Sequence, residues 1–148
     1  MRMEQRIEKH ARDFQQQDYR LLRTAPGIGK ILALTILYET IDIKRFPTVK
    51  DFISYCRLVC GTNESGGKDF GGKGRKMGNP YLKWAFMQAA ILSKRADPKL
   101  NTYYERLERK KGKHTANAII ASKIARAVYF MLDRKTGFNV DQLTKGRR

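Results

Sequence analysis

The sequence predicts an all-α domain, and three observations carry that prediction. Apolar residues recur at spacings of three and four in several separate stretches, which places them on one face of a helix rather than alternately across a strand. Helix-start signals stand in front of those stretches, at Thr48-x-x-Asp51, Asn79-Pro80 and Asp97-Pro98. Between the two helical blocks lies a glycine-rich basic segment, Gly61 to Asn79, which holds seven of the chain's 12 glycines. Such a segment adds almost nothing to a core, so it reads as a long loop with room for a small hairpin.

From the N-terminus, Met3, Ile7, Ala11 and Phe14 follow spacings of four, four and three, so residues 3–17 form a helix with a narrow apolar stripe. That stripe suits either the chain's own core or the end of a longer coiled-coil arm, and residues 1–17 are set apart as a helical arm. Asp18 is placed to cap a short helix, Tyr19 to Thr24, and an apolar helix follows from Lys30 to about Thr40. Between them, Pro26-Gly27-Ile28-Gly29 makes a helix-hairpin-helix pattern. Gly27 and Gly29 permit backbone conformations that turn N–H groups outward. Ile28 anchors the turn, and the next helix adds its positive N-terminal end beside Lys30. The pattern suits a seat for a duplex phosphate or a plain tight turn between packed helices; in neither case does it read bases.

Phe46-Pro47 breaks the chain, and the Thr48–Asp51 capping box starts a helix to about Val59, with Phe52, Ile53, Cys56 and Val59 inward. Beyond the glycine-rich segment, Asn79 caps a helix from Tyr81 to Lys94 that turns Leu82, Ala85, Phe86, Ala89 and Leu92 to the core. The helix after Asp97-Pro98 ends in the basic run Arg109-Lys110-Lys111-Gly112-Lys113, which suits the negative end of a helix. A last long helix, about Thr115 to Lys135, stops at Gly137 with Lys123 and Arg126 on its outer face. Residues 18–140 thus read as one domain and 141–148 as a frayed basic tail.

Charge narrows the partners. With 31 Lys and Arg against 14 Asp and Glu, the net charge is +17 and the pI about 10.2. Nucleic acid is the first partner to consider, because each neutralised phosphate releases counterions. An anionic membrane surface is the second, but the longest apolar run, Ile31 to Tyr38, falls far short of the roughly 20 residues a spanning helix needs. Met1 to Asp18 is charged throughout and unlike a secretory signal, so a cytoplasmic, nucleoid-associated protein is expected. Cys56 and Cys60, four apart, could share a helix face, yet only His10 and His114 could complete a metal set. They read as thiols in a reducing compartment.

For chemistry, Gly67-x-x-x-x-Gly72-Lys73 looks like the start of a nucleotide-binding loop, but Gly74 stands where a magnesium-holding Ser or Thr is needed and a helix precedes it. The acids are scattered singly, so no metal site is expected in this chain. Ser65 is flanked by glycines and followed by Lys68, Lys73, Arg75 and Lys76. A hydroxyl, close-approaching backbone and cations are the ingredients of phosphoryl transfer, although Ser-Gly-Gly is also ordinary turn chemistry.

Three runs change the weight of that serine: Tyr55-Cys56-Arg57-Leu58-Val59, Glu64-Ser65-Gly66-Gly67-Lys68, and Lys76-Met77-Gly78-Asn79-Pro80-Tyr81-Leu82-Lys83-Trp84-Ala85-Phe86. Together with Gly72-Lys73, Pro26-Gly27-Ile28-Gly29 and Lys123 to Tyr129, they closely resemble the C-terminal transposase domain of the insertion-sequence one-ten class. These are the RNA-guided serine transposases, or bridge recombinases, with the pilin-gene invertase as a relative. The resemblance spans about residues 19–140.

It implies a composite site. A RuvC-like N-terminal domain supplies four acidic residues that bind Mg2+, and the C-terminal domain supplies a serine that attacks a DNA strand; a structured guide RNA selects the DNAs, and the full-length protein acts as a homo-oligomer. The family's serine falls on Ser65, and Lys76, Gly78 and Asn79 match its basic-Gly-Asn segment. Lys83 stands where many members have arginine, which keeps the charge and loses the planar fork. The acidic domain is not within these residues, so nucleic-acid binding without strand transfer is expected of this chain alone. The rival expectation is a non-enzymatic DNA- or RNA-binding module, or an inactive transposase remnant, in which Ser65 is a turn residue.

The expected nucleic-acid contacts are therefore Gly27, Ile28, Gly29 and Lys30 in the hairpin, Lys68, Lys73, Arg75 and Lys76 in the loop, and Asn79 and Lys83 at its exit.

Overall fold

The computed structural model describes residues 2–59 and 78–145, without the side chains of residues 8 and 10–15. Those residues form α1 (Met3–Arg23), α2 (Lys30–Thr40), a 3-10 turn (Ile43–Arg45), α3 (Val49–Tyr55), α4 (Pro80–Ala96), α5 (Pro98–Lys111), α6 (Lys113–Arg134) and α7 (Val140–Thr144). No strand occurs among the described residues, as the helical spacing predicts.

The centre of the fold is α6 packed on α4, because these two helices carry the longest buried stripes. Ala116, Ile120, Ile124, Val128 and Leu132 line one face of α6, and Leu82, Phe86 and Ala90 line one face of α4. Around the pair, α2 lies on α4, α5 on both, α1 across α2 and α6, α3 on α6, and α7 on α5. An aromatic cluster fills one end. Phe52 meets Phe46 at 5.2 Å, Tyr129 at 5.9 Å and Phe86 at 6.1 Å, and Tyr129 donates to the Phe46 carbonyl at 3.1 Å. Fully burying a ring such as Phe52 contributes about 1.5–3 kcal/mol.

Four expectations need correction. The change of helix at Asp18 is absent, and α1 runs unbroken through it. No glycine or proline interrupts residues 3–23, and the Asp18 carboxylate accepts from Lys135 at 2.5 Å instead of capping. Among the described side chains of α1, Tyr19 and Leu22 are buried, while Met3 and Ile7 stay exposed. Next, α3 ends at Tyr55 rather than near Val59. Arg57 takes a positive φ of 58°, and Leu58 N–H closes back on the Ile53 carbonyl at 3.1 Å, a Schellman ending made without glycine. Leaving the helix shifts the inward side by one residue, so Leu58 is buried and Val59 exposed.

Leu92 is likewise exposed rather than inward. At about 100° per residue it lies roughly 80° away from the direction of Leu82, whereas Ser93 returns to within about 20° and is the buried one. Finally, residues 141–144 do not fray. Asn139 caps α7 by accepting from Asp141 N–H at 3.0 Å, Leu143 is buried, and Lys99 pairs with Asp141 at 2.7 Å.

Candidate nucleic-acid interface

The turn between α1 and α2 shows that its two glycines have different tasks. Gly27 has φ +85°, and a β-carbon there would lie 2.5 Å from the Ala89 carbonyl oxygen, 2.6 Å from Ser93 N and 2.9 Å from Ser93 Cα. Gly27 is therefore pressed onto the backbone of α4, where Ala89, Ala90 and Ser93 leave room for it. Ile28 is buried beside it, as expected of an anchor. Gly29, by contrast, is an exposed extended residue whose β-carbon would meet nothing within 4 Å. It is the N-cap of α2 and offers no side chain to the first-turn N–H groups, and no acid stands in that turn. Gly29 and the exposed Lys30 thus form the outward, electropositive part of the hairpin.

The second part is the base of the glycine-rich segment. Gly78 has φ +118°, and a β-carbon on it would lie 2.6 Å from the Tyr55 carbonyl oxygen. Asn79 N–H donates to that same carbonyl at 2.7 Å. The chain therefore returns from the segment onto the end of α3, next to where it left. Asn79 is buried, and its side chain is fully used inside the fold. Oδ1 accepts from Tyr81 and Leu82 N–H at 2.9 and 3.1 Å, capping α4, while Nδ2 donates to Glu39 Oε2 at 2.6 Å and to Tyr55 Oη at 3.3 Å. Arg45 stacks over Tyr55 and Phe46, 5.3 Å from each ring, and donates to the Thr40 carbonyl at 2.7 Å. Asn79 thus positions the loop exit, with its polar atoms turned away from solvent.

Ser65, Lys68, Lys73, Arg75 and Lys76 lie outside the described residues. Lys83 is exposed on the first turns of α4, and so are the rings of Tyr81 and Trp84. Sequence reading passed over these two aromatics; their signal is a pair three apart on the polar side of an amphipathic helix. It also passed over Tyr55 and Arg57 at the neck, although both fall within the quoted motif. Arg57 Nε is buried and finds no partner among the described residues. Glu39 had no pairing signal beyond being a lone acid near the end of an apolar helix.

Two stations result. Gly27 touches α4 at Ala89 and Ser93, whereas Asn79 caps its start, ten residues or about 15 Å away along the helix axis. α2 spans the same gap in the opposite direction, from Gly29 at the turn to Glu39 at the neck.

Compared with known proteins, residues 19–105 match the family described as Transposase IS116/IS110/IS902 family. The chain is also 32% identical over 127 residues to the Insertion element IS110 uncharacterized 43.6 kDa protein of Streptomyces coelicolor. The chain belongs to the IS116/IS110/IS902 transposase family. The alignment covers 85% of this chain and 31% of that relative, so the chain spans about a third of that relative's length. No solved structure matches.

The stretch that matches the transposase family begins at the buried Tyr19 and ends within α5, so it contains both stations and residues 60–77. The shifted titrating groups among the described residues of this transposase-family chain sit in the fold's own contacts. Burial pushes the Cys56 thiol far up, which makes it a poor nucleophile or ligand. The hydrogen bond from Lys44 holds the Asp133 carboxyl below its ordinary range and raises Lys44 in return. No group of three His, Cys, Asp or Glu among the described residues could hold a metal ion, and none of the described helices is long and apolar enough to cross a membrane.

Proposed function

We propose that this chain is the nucleic-acid-binding, serine-supplying part of an insertion-sequence transposase. The observation that carries this reading is the neck. Asn79, Tyr55, Glu39 and Gly78 join the described residues that flank 60–77 on either side, and the sequence between them contains Ser65 and four cations. In this reading the Ser65 hydroxyl loses its proton, its oxygen bonds to a DNA phosphorus, and a deoxyribose oxygen leaves and takes up a proton. Lys68, Lys73, Arg75 and Lys76 offset the charge that builds on the phosphate. Asn79 acts as a positioning residue for the loop exit.

The hairpin supplies a second phosphate seat at Gly29 and Lys30, and Lys83 a further contact beside Trp84. With DNA rising about 3.4 Å per base pair, the roughly 15 Å between the stations corresponds to about four to five base pairs, so one duplex reaches both. A structured guide RNA and a homo-oligomeric full-length protein complete the reading. So does an acidic, Mg2+-binding RuvC-like domain from outside these residues, without which this chain binds but does not cleave.

The test is to co-express the chain with an acidic partner domain of the same family and assay for a covalent protein–DNA adduct. The adduct is expected with the unaltered chain and lost in Ser65→Ala. An adduct of undiminished yield in Ser65→Ala overturns the nucleophile. Binding that persists without any adduct in either protein favours a non-enzymatic module.

A further inference from the structure

A cleft lies away from both stations, between the end of α4, the middle of α5 and the first turns of α6. It measures about 610 Å³. Two buried polar atoms at its wall have no hydrogen-bond partner among the described residues: Tyr104 Oη and Asn117 Oδ1. Their residues are only 5% and 8% exposed. An unmet buried polar atom costs about 1–3 kcal/mol, which is tolerated more readily if something arrives to meet it. Water alone is a poor match for the space, since one molecule occupies only about 30 Å³. The volume falls within the roughly 300–1,000 Å³ of small-molecule sites.

The lining narrows the ligand. Lys94, Arg95 and Lys113 bring three cations, and Glu105 and Glu108 two carboxylates. Lys94 Nζ sits 3.5 Å from the centroid of the Tyr104 ring, holding that ring in place. Gly112, which precedes α6, offers no capping side chain, and no acid stands in the first turn of α6, so the positive end of a 22-residue helix borders the cleft. The ligand must therefore carry an anion for the cations and N–H or O–H donors for Asn117 Oδ1 and the carboxylates. Inorganic phosphate has the first, but its one or two O–H groups sit on the anion itself and cannot reach across a cleft of this size to separate acceptors. An acidic peptide would meet Glu105 and Glu108 with like charge. A nucleotide has both, in its phosphate and in its base amines or sugar hydroxyls.

We propose that this cleft takes a single nucleotide turned out of a paired strand, while the neighbouring phosphates run over Arg109, Lys110 and Lys111 at the end of α5. The inference rests on the nucleic-acid reading above and adds a third contact, one that senses local structure rather than duplex backbone.

The test compares a hairpin with one unpaired nucleotide against its fully paired counterpart, each made as RNA and as DNA, by fluorescence anisotropy with the full chain at fixed salt. The bulged form is expected to bind at least about 5-fold more tightly, equivalent to one hydrogen bond or more. Tyr104→Phe and Asn117→Leu are expected to abolish that preference and leave binding of the paired hairpin unchanged. Neither should lower the melting temperature, since each removes an unmet polar atom. A preference confined to RNA assigns the sugar 2′-hydroxyl to the buried acceptors, and a preference in both assigns the base. Equal binding of bulged and paired forms by the unaltered chain, or a preference that survives both substitutions, overturns the proposal and leaves the hairpin and loop intact as a reading. If no hairpin binds at all, the nucleic-acid reading itself fails.

Discussion

Gly27→Ala separates a packing role from a binding role at the hairpin. An alanine at a φ of +85° is strained by about 1–2 kcal/mol through its own backbone. Its methyl group would also stand 2.5–2.9 Å from three backbone atoms of α4, which cannot swing aside as a side chain can. The turn must lift off α4, and overpacking of that kind costs about 1–3 kcal/mol more. The sum, about 2–5 kcal/mol, is a large part of the roughly 5–15 kcal/mol that holds a domain of ordinary stability. Urea unfolding followed by circular dichroism reads it as a fall in midpoint of about 1–2 M. Gly29 provides the control. Its β-carbon would meet open space, so Gly29→Ala should cost no more than about 1 kcal/mol. Gly29→Asp should stabilise by about 0.5–1 kcal/mol, because a carboxylate at that N-cap satisfies first-turn N–H groups and suits the helix dipole. The same carboxylate should weaken DNA binding by occupying the phosphate seat. Gly27→Ala unfolding within about 1 kcal/mol of the unaltered chain would refute the packing argument, and Gly29→Asp binding DNA undiminished would refute the seat.

Asn79→Asp keeps the cap on α4 but replaces the donor to Glu39 with a second carboxylate. The variant is expected to lose about 2–3 kcal/mol at pH 7, the cost of an uncompensated buried polar pair, and to regain part of it near pH 4 as the two carboxylates share a proton. Urea midpoints at the two pH values measure this. Lys99 gives a pH dependence of opposite location. Its hydrogen bond to Asp141, aided by its charge, holds that carboxyl below the ordinary 3.8, so the pair's contribution is present above about pH 4 and is lost as pH falls through the lowered value. Protection of the α7 amides, taken relative to their intrinsic exchange rate, should therefore fall on acidification below pH 4, and should already be reduced at pH 7 in Lys99→Ala.

Local sequence was enough wherever one side chain closes on its own helix end. Thr48 and Asp51 start α3, Asn79 starts α4 and Asp97 starts α5, each through bonds to residues two or three positions away. Such bonds are formed by the chain segment itself, so they can be read without knowing what packs nearby. The motif runs that place the chain among insertion-sequence transposases were legible for the same reason, as ordered short segments. Sequence alone also established the helical class and the charge that points to nucleic acid.

Tertiary structure decided what those residues face. Pro-Gly-Ile-Gly reads the same whether its glycines turn to solvent or to a neighbour, and only the presence of Ala89 and Ser93 sends Gly27 inward while Gly29 stays open. Asn79 was visible as a cap, but its bonds to Tyr55 and Glu39 join positions 24 and 40 residues apart, beyond the reach of any spacing rule. Tyr104 and Asn117 gave no signal at all, since an unmet polar atom exists only relative to everything that fails to reach it. Side-chain chemistry within one helical turn is written in the order of residues. Which groups meet across the core depends on how whole helices pack, and that is where the neck and the cleft arise.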